Sequence, residues 1–230
     1  MAHKIDHARI NAAIAKAEET TSGEITCMIK SKGLEYPETP LMWAVGVALI
    51  VPMALMAFGI WPHDWLEPLI VKVAGWNTPG VTGELMAYEA IMFYALTQLI
   101  LFIATYLIVA LKPLRVALTP KSIKHKRAHQ KAMEQFLARG LHLTKGRTGV
   151  MIFCAVEEHY VEVIADEGIY SKVDKKHWDE TVSALLKHIK SGDMTTGFEA
   201  AIAASSTVLS AHFPPGTENP NELPDVLIEI

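Results

Sequence analysis

The sequence is poor in cysteine throughout and poor in charge over one long stretch. Its 230 residues include two cysteines, Cys27 and Cys154, and two thiols exclude the multi-disulfide framework on which many small secreted domains depend. Residues 41–111 hold only five of the chain's 21 basic and 25 acidic residues. The rest of the chain has the charge content of an ordinary soluble domain. The composition therefore excludes a uniformly apolar chain and indicates a membrane module inserted in a polar domain.

Several segments that would assign a location or an activity are also missing. Residues 1–21 contain no apolar core segment, so we expect no cleavable signal peptide. A phosphatase needs a nucleophile or a metal pair together with a phosphate cradle, and the sequence has no Cys-x5-Arg, P-loop or DxDxT-type motif. Cys154 lies within an apolar run, where a thiolate is disfavoured. No catalytic class is therefore indicated by a sequence motif.

Two long uncharged segments, 41–61 and 90–111, have the length and composition of membrane-spanning helices. A bilayer core about 30 Å thick requires roughly 20 apolar residues at about 1.5 Å per residue. Pro52 lies in the middle of the first segment, where a kink is expected and tolerated. Neither segment contains an ionisable residue, which argues against a pump or a channel and favours an anchor. The alternative is a pair of buried helices in a large soluble core, for which the polar chain is too short.

Tryptophans flank the predicted spans. Trp43 and Trp61 bracket the first span, and Trp65 and Trp76 lie in the connecting loop 62–89. Because tryptophan is enriched where the bilayer meets water, we predict that these four side chains lie at the membrane interface. The apolar spacing between Trp65 and Trp76 further predicts a short amphipathic helix on the outer leaflet.

The distribution of basic residues predicts the orientation of this hairpin. The loop 62–89 contains one Lys or Arg, the 20 residues before the first span contain two, and the 20 residues after the second span contain seven. Cytoplasmic flanks carry the excess of basic residues. We therefore predict a multi-pass protein of the bacterial inner membrane with its N- and C-termini in the cytoplasm, where cysteines stay reduced.

Periodicity in the polar parts predicts a mixture of helices and strands. Helices are predicted over 5–20, 122–139, 174–189 and 196–212, and strands over 24–30, 149–156 and 160–165. The first strand cannot bury itself and must pair with the later two, so the domain is discontinuous. The predicted parts are 1–40 (first helix and strand), 41–111 (transmembrane hairpin), 112–212 (main part of the domain) and 213–230 (C-terminal tail).

Three motifs in these elements resemble the TPM domain family. They are Ser22-Gly23-Glu24, then Gly146-Arg147-Thr148-Gly149, and the run Tyr-Val-Glu-Val-Ile-Ala-Asp-Glu-Gly-Ile over 160–169. The resemblance covers residues 20–31 and 122–212, and the inserted hairpin is similar to one bacterial membrane branch. It implies an α/β/α sandwich with a small mixed sheet. The family includes thylakoid lumenal proteins of photosystem repair and nematode receptor accessory proteins, and its domain is usually uninterrupted and outside the cytoplasm, so this chain departs from the pattern.

Charge is segregated along the polar sequence. Residues 112–147 hold ten basic residues and one acid, and residues 148–230 hold five basic and fourteen acidic residues. A basic cluster directly after a span attracts anionic lipid. We therefore predict lipid headgroup contacts for Lys112, Arg115, Lys121, Lys124, Lys126 and Arg127. One rival explanation is a topology signal alone. The other is nucleic-acid binding, which no recognition motif accompanies, and we expect no nucleic-acid partner.

Carboxylates after the third predicted strand form a candidate metal site. Asp166, Glu167 and Asp174 flank one loop, and clustered oxygen ligands can hold Ca²⁺ or Mg²⁺. The resemblance to the TPM family suggests the same role for this region. The alternative is that the three residues serve as turn and helix-cap residues.

Two further clusters carry chemically capable side chains. His125 and His129 are four residues apart on one predicted helix, a spacing that permits metal chelation, although the surrounding lysines disfavour a dication. The turn Glu157-Glu158-His159 places a carboxylate beside an imidazole, the ingredients of acid–base catalysis. The simpler expectation for both clusters is solvated surface.

The leading functional hypothesis is a membrane-anchored accessory or scaffold protein that is not an enzyme. Its cytoplasmic TPM-like domain would contribute to the assembly, stability or quality control of a membrane protein complex, with lipid and either that complex or a second copy as partners. The alternatives are a metal-dependent phosphatase-like hydrolase that uses Asp166 and Asp174, because the family is sometimes labelled phosphatase, and a divalent-metal-binding module without catalysis. We expect no cofactor beyond the Ca²⁺ or Mg²⁺ of these alternatives.

Overall fold

The chain divides into an α/β unit, which we call the sheet unit, and a helical unit, which we call the hairpin unit. The sheet unit combines Met1–Leu34 with Pro120–Ile230, and the hairpin unit is Glu35–Thr119. The computed structural model describes residues 5–61, Leu66, Lys72, 83–174, 176–215 and 221–230.

The described elements follow the order that the sequence predicts. The sheet unit contains α1 (His7–Glu18), β1 (Glu24–Lys30), α5 (Lys121–Ala138), a 3-10 turn (Leu141–Leu143), β2 (Gly149–Ala155), β3 (Tyr160–Ala165), α6 (Glu167–Tyr170), α7 (Lys176–Ser191), α8 (Met194–His212) and β4 (Leu227–Glu229). The hairpin unit contains α2 (Glu38–Ala57), α3 (Gly83–Ala110) and α4 (Lys112–Leu118). The predicted strands and helices are present with shifted ends. The short elements α4, α6 and β4 were not predicted.

The four strands form one mixed sheet in the order β3-β2-β1-β4. β1 runs parallel to β2, with Glu24 opposite Gly149, and parallel to β4, with Cys27 opposite Leu227. β2 and β3 are antiparallel neighbours. Within the tail predicted over 213–230, the short strand β4 completes the sheet beside β1. The small mixed sheet implied by the family resemblance is confirmed.

Helices cover both faces of the sheet. On one face, α1, α7 and α8 pack on inward side chains such as Ile25 and Ile152. On the other face, α5 packs through Phe136 on side chains such as Met151 and Phe153. The two central strands are therefore buried on both sides, which explains why β2 is a continuous apolar run rather than an alternating one. The α/β/α sandwich is confirmed.

One glycine fixes the approach of the 3-10 turn to the sheet. A Cβ atom at Gly149 would lie 2.2 Å from the carbonyl oxygen of Leu141, so any larger residue there would push the turn away from β2. Gly140, which ends α5, has φ 72°, a conformation that glycine adopts without strain. The two glycines therefore permit the short connection between α5 and β2.

The hairpin unit is built from two long helices that pack against each other. Their buried positions are mostly small or polar, namely Thr39, Ala44, Ala48 and Pro52 on α2 and Thr97 and Val109 on α3. Small residues allow close approach of helix backbones. Ala44 and Ala48, four residues apart on α2, are both buried.

The helix ends differ from the predicted spans for a physical reason. α2 covers Glu38–Ala57 rather than 41–61, and α3 begins at Gly83 rather than near residue 90. A count of uncharged residues locates the apolar run but not the helix. The helical hydrogen bonds of α3 include charged residues before its apolar run, and those of α2 end before its apolar run ends. For the same reason the units divide after Leu34 and Thr119, whereas the sequence placed the divisions after residues 40 and 111.

Candidate functional site

A candidate site lies where the loop before β2 meets the loop after β3. Arg147 has a positive φ of 54°, which is uncommon for a residue with a side chain and is often found at functional positions. Its guanidinium Nε lies 2.8 Å from Oδ2 of Asp166. The other carboxylate oxygen of Asp166 accepts a hydrogen bond from the backbone N–H of Glu167 at 2.8 Å and caps α6. The Asp166 side chain is buried, so its charge is held by an arginine and a helix N-terminus together.

A glycine brings the two loops of this site together. A Cβ atom at Gly168 would lie 2.5 Å from the carbonyl oxygen of Arg147 and 2.9 Å from that of Gly146. Only glycine permits this approach. The Gly-Arg-Thr-Gly and Asp-Glu-Gly motifs are therefore two halves of one site, and their distance along the chain hides that relation in the sequence.

The three predicted metal ligands occupy different environments in this site. Asp166 is buried in the ion pair with Arg147, whereas the Glu167 side chain is 87% exposed and lies 3.6 Å from the same guanidinium. Asp174 accepts a hydrogen bond from the backbone N–H of Lys176 at 3.1 Å, as a helix-capping residue does. Within the described residues, no three His, Cys, Asp or Glu side chains are grouped so that they can hold a metal ion. The Ca²⁺ or Mg²⁺ site stays a prediction, and it requires these carboxylates to rearrange.

The histidine pair on α5 faces the sheet. The Nδ1 atom of His129 lies 2.8 and 2.9 Å from the two carboxylate oxygens of Glu162, and the hydroxyl of Tyr160 donates to Glu162 at 3.0 Å. The ring of His125 packs against Tyr160 with a centroid distance of 5.0 Å. Both histidines are exposed, as the sequence predicted, and both also contact β3, through Tyr160 and Glu162. Burial is the main cause that raises the pKa of Tyr160.

The turn between β2 and β3 also differs from its expectation. Glu158 is buried, and its carboxylate accepts a hydrogen bond from the backbone N–H of Leu34 at 2.7 Å. A solvated turn was expected because Glu157, Glu158 and His159 are all polar. The Leu34 contact could not be read from the sequence, since it joins residues 124 positions apart.

The two cysteines are free and buried. Burial raises the pKa of Cys154 to about 12 and also raises the pKa of Cys27, with a smaller contribution from nearby Glu18. A thiol that stays protonated at neutral pH is a poor nucleophile.

The predicted lipid-contacting residues lie on two consecutive helices. Lys112 and Arg115 lie on α4, where Lys112 is exposed and Arg115 is partly buried. On α5, Lys121 and Lys126 are exposed, whereas Lys124 and Arg127 are partly buried. The buried face of α5 is apolar and consists of Ala128, Ala132 and Phe136. The basic residues of α5 therefore lie outside the apolar face that packs on the sheet.

The predicted interfacial tryptophans are described in part. Trp43 is 44% exposed, and its indole N–H donates to the backbone carbonyl of Leu118 at 3.2 Å. Trp61 is 47% exposed. Trp65 and Trp76, with most of the amphipathic helix predicted between them, lie outside the described residues.

Two helices of the hairpin unit are long and apolar enough to cross a membrane: Glu38–Ala57 and the Ala90–Ala110 part of α3. Only 22% of the apolar window of the first and 6% of that of the second are buried. The core helix of a soluble protein would be mostly buried. The exposed side chains include Ile50, Met53, Ile91, Leu107 and Ile108, which supports association with a membrane.

Comparison with known proteins agrees with the fold. Residues 112–208 match the model of the TPM domain. The fold is also similar to the NMR structure of the BA42 protein from the psychrophilic bacterium Bizionia argentinensis, with a TM-score of 0.52 and 18% identity over 97% of this chain and 91% of that chain. No curated protein matches the sequence. Residues 112–208 of this chain therefore match the TPM domain family, as the sequence motifs predicted.

Proposed function

We propose that this protein is a non-enzymatic accessory or scaffold protein of the bacterial inner membrane. The hairpin unit crosses the membrane twice, and the TPM domain lies in the cytoplasm and supports the assembly, stability or quality control of a membrane protein complex. The observation that carries the proposal is the exposed apolar surface of α2 and α3. An apolar surface of that extent promotes aggregation in water and is normal in lipid.

The contacts at the base of the hairpin unit suit an anchor. The hydroxyl of Thr119 donates to the Arg115 carbonyl at 2.7 Å. A hydroxyl has one proton to donate, so in the 2.8 Å contact between the Thr39 and Thr119 hydroxyls it is Thr39 that donates. The indole N–H of Trp43 adds a hydrogen bond to the carbonyl of Leu118, the last residue of α4. These bonds hold the start of the first span beside the end of the second.

The basic residues after the second span support the proposed orientation and a lipid partner. Lys112 and Arg115 lie on a short helix that follows α3 directly and exposes Leu114. A helix with basic and apolar side chains suits the headgroup region of a bilayer. Lys121, Lys124, Lys126 and Arg127 continue the cluster on α5. An anionic cytoplasmic leaflet attracts each such residue by about 1 kcal/mol.

The orientation can be tested by labelling single cysteines in intact cells with a maleimide that does not cross membranes. The wild type is the blank, because Cys27 and Cys154 are both buried. We expect Thr78→Cys, in the connecting loop, to be labelled from outside. Ser122→Cys, at the exposed start of α5, should be labelled only after permeabilisation. The opposite pattern would invert the orientation, and labelling of both variants in intact cells would exclude the proposed topology.

The accessory role can be tested by crosslinking in native membranes and purification in mild detergent. We expect the protein to be recovered in a complex or as an oligomer. Asp179→Asn combined with Glu180→Gln removes two exposed charges from α7 and should weaken retention of a partner with a basic surface. Lys187→Gln, on the same helix, is the control: it also changes the charge of α7 but removes no acidic side chain. Recovery of the monomer alone, at wild-type expression levels, would contradict the proposal.

The alternatives that use a metal ion depend on Asp166, whose carboxylate is paired with the positive-φ residue Arg147. They require Asp166 to exchange an ion pair for a metal ion. A phosphohydrolase would show metal-dependent turnover of a generic phosphoester that disappears in Asp174→Ala with the fold intact. A binding module would release or absorb heat with Ca²⁺ or Mg²⁺ in calorimetry, and the absence of heat would remove it.

A further inference from the structure

The sheet unit exposes a group of large apolar side chains at one end of α5. Among its described residues, five such side chains are exposed, namely Met133, Leu137, Leu143, Tyr170 and Val226. Three of them fall within residues 133–143, where α5 ends and the 3-10 turn follows. Leu137 is 52% exposed and Leu143 is 71% exposed. Single exposed apolar residues are normal on a protein surface, whereas a contiguous group indicates an interaction site.

Three of these side chains form one surface, which we call the apolar patch: Met133, Leu137 and Leu143. Met133 and Leu137 are four residues apart on α5 and therefore share one side of the helix. The N–H of Gly140 donates to the Leu137 carbonyl at 3.1 Å, and the N–H of Leu143 donates to the Gly140 carbonyl at 2.8 Å. These turns bring Leu143 back to the end of α5, where a Cβ atom at Gly140 would lie 3.6 Å from Leu143 Cδ1. The patch thus continues from the helix into the 3-10 turn.

The side of α5 that carries the patch faces away from the sheet. The residues that α5 buries against the sheet are Ala128, Ala132 and Phe136. Lys126 and Gln130 are exposed and precede Met133 and Leu137 by seven residues, which places them on the same outer side, two helical turns earlier. The outer side of α5 therefore begins with basic and polar residues and ends with apolar ones.

The charge around the patch is positive. Residues 112–147 hold ten basic residues and one acid, Glu134, and the carboxylate of Glu134 lies 2.8 Å from Nζ of Lys131. Arg139, which directly follows α5, is exposed. Beyond the 3-10 turn, Glu222 accepts a hydrogen bond from the backbone N–H of Lys145 at 2.9 Å, and the Lys145 side chain carries the opposite charge. The acids near the patch thus have basic neighbours, and a basic excess remains.

A second copy of this chain does not fit this surface. In a symmetric dimer the same patch meets itself, so Lys126 and Arg139 of one copy would lie beside basic residues of the other. Like charges across an interface oppose association. The complementary surface is anionic and has an apolar layer that can receive the three side chains of the patch. A bilayer with anionic headgroups has both properties.

Because the hairpin unit crosses the membrane in the proposed function, on which this inference rests, the chain also holds α5 near the bilayer. The second crossing helix ends at Ala110 and α5 begins at Lys121, so the connection is short. α5 has 18 residues and is therefore about 27 Å long at about 1.5 Å per residue. The apolar patch, at its far end, meets the same bilayer when α5 lies parallel to the surface.

We propose that α5 and the 3-10 turn that follows it lie along the cytoplasmic surface of the bilayer, with the apolar patch inserted among anionic headgroups. Insertion removes the three apolar side chains from water. The ammonium of Lys126 and the guanidinium of Arg139 stay at the level of the lipid phosphates, as in amphipathic helices at a bilayer surface. The TPM domain then has a second attachment to the membrane besides the hairpin unit.

This attachment determines which face of the sheet unit a partner can reach. α7 packs on the face of the sheet opposite to α5, so its exposed acids Asp179 and Glu180 point towards the cytosol. The bilayer therefore binds the basic side of the unit and leaves the acidic side accessible.

Fluorescence quenching in vesicles tests the proposal on the full chain. The protein is reconstituted in phosphatidylcholine with phosphatidylglycerol, and single cysteines carry an environment-sensitive fluorophore. The wild type is the blank, because Cys27 and Cys154 are buried. The quencher is a lipid with a nitroxide near the headgroup end of its acyl chain. Labels are placed at three exposed positions: Leu137→Cys in the patch, Ser183→Cys on α7 and Ile108→Cys on α3.

We expect quenching at Leu137 and at Ile108 and none at Ser183, which lies on the far side of the sheet. Emission at Leu137 should lie at shorter wavelength than emission at Ser183, because the patch is shielded from water. In vesicles of phosphatidylcholine alone, quenching at Leu137 should fall and quenching at Ile108 should persist, because the crossing helices do not depend on lipid charge.

Variants separate the contribution of charge from that of the apolar patch. Lys126→Gln with Arg139→Gln removes two basic residues, and each change should lower the attachment equilibrium constant about fivefold in anionic vesicles. Lys176→Gln with Lys187→Gln is the matched control on α7 and should have no effect. Leu143→Gln should also reduce quenching at Leu137.

Val226→Gln is the matched control for Leu143→Gln, since it changes an exposed apolar residue outside the patch, and quenching at Leu137 should stay as in the wild type. Quenching at Ile108 without quenching at Leu137 would overturn this inference and leave the proposed membrane crossing intact, whereas no quenching at Ile108 would contradict the crossing as well. Emission at short wavelength without quenching at Leu137 would mean that a second copy covers the patch. That result, or equal quenching at Leu137 and Ser183, would also overturn the inference.

Discussion

The sheet unit and the hairpin unit use large apolar side chains in opposite ways. In the sheet unit, Phe153 and Phe198 are fully buried between sheet and helices. In the hairpin unit, Ile50 is 66% exposed and Ile91 is 67% exposed. Among the described residues of α2 and α3, the buried ones are mostly small or polar, such as Ala44 and Thr97. This is the difference expected between a core that excludes water and helices that face lipid, whose packing relies on close backbone approach.

The largest expected effect comes from emptying the core of the sheet unit. Phe153→Ala should lower the free energy of unfolding of that unit by about 3–5 kcal/mol, because it leaves a cavity between the sheet and α5. Ile108→Ala shortens an exposed side chain of α3 and should leave the sheet unit unchanged. The probe is labelling of Cys27 and Cys154 in urea, since both thiols react only when the sheet unit opens. Equal destabilisation by both variants would remove the distinction between the units.

A smaller effect is expected from overfilling the contact between α2 and α3. Ala48→Leu should weaken hairpin packing by about 1–3 kcal/mol, since a buried methyl is replaced by a larger side chain without space. Ala104→Leu makes the same change at an exposed position of α3 and should be tolerated. Titration with a denaturing detergent, followed by tryptophan emission, compares the two. Indistinguishable titrations would mean that small residues do not set this contact.

The smallest effect concerns two carboxylates that face one arginine. Asp166→Asn removes the buried partner of Arg147 while an oxygen remains to cap α6, and we expect a loss of about 1 kcal/mol. Glu167→Gln removes the exposed partner and should change stability by less than about 0.5 kcal/mol. Urea unfolding with the same thiol probe measures both. A larger loss of stability in Glu167→Gln than in Asp166→Asn would mean that the exposed ion pair contributes more to stability than the buried one.

The main elements of the fold were predictable because their signals are local. β2 is a continuous apolar run, and α7 has an apolar stripe at helical spacing, so neither needs information from distant residues. β4 was not predictable, because three residues at the chain end become a strand only by pairing with β1, about 200 positions earlier. β4 forms because β1 leaves one sheet edge open, and no pattern in the residues near the chain end indicates that edge.

The candidate site was predictable only in part. Asp166 was identified from its position after a strand, but its partner Arg147 was not, because the ion pair requires the positive φ of Arg147 and the close approach permitted by Gly168. Similarly, Glu18 and Glu158 have the local sequence of solvated residues. Glu18 is partly buried, where it accepts the backbone N–H of Ile25, and Glu158 is buried, where it accepts that of Leu34.

By itself, the scarcity of charge over 41–111 determined that this chain contains a hairpin of membrane-spanning length, and the TPM motifs determined the class of sheet. Both depend on residues that are adjacent in the chain, because composition and periodicity indicate which of those residues gain free energy by burial. Only the tertiary structure decided which polar groups lose water, because desolvation depends on the residues that pack around a side chain. The burial of Glu158, whose carboxylate accepts the backbone N–H of Leu34 from 124 positions away, results from such packing.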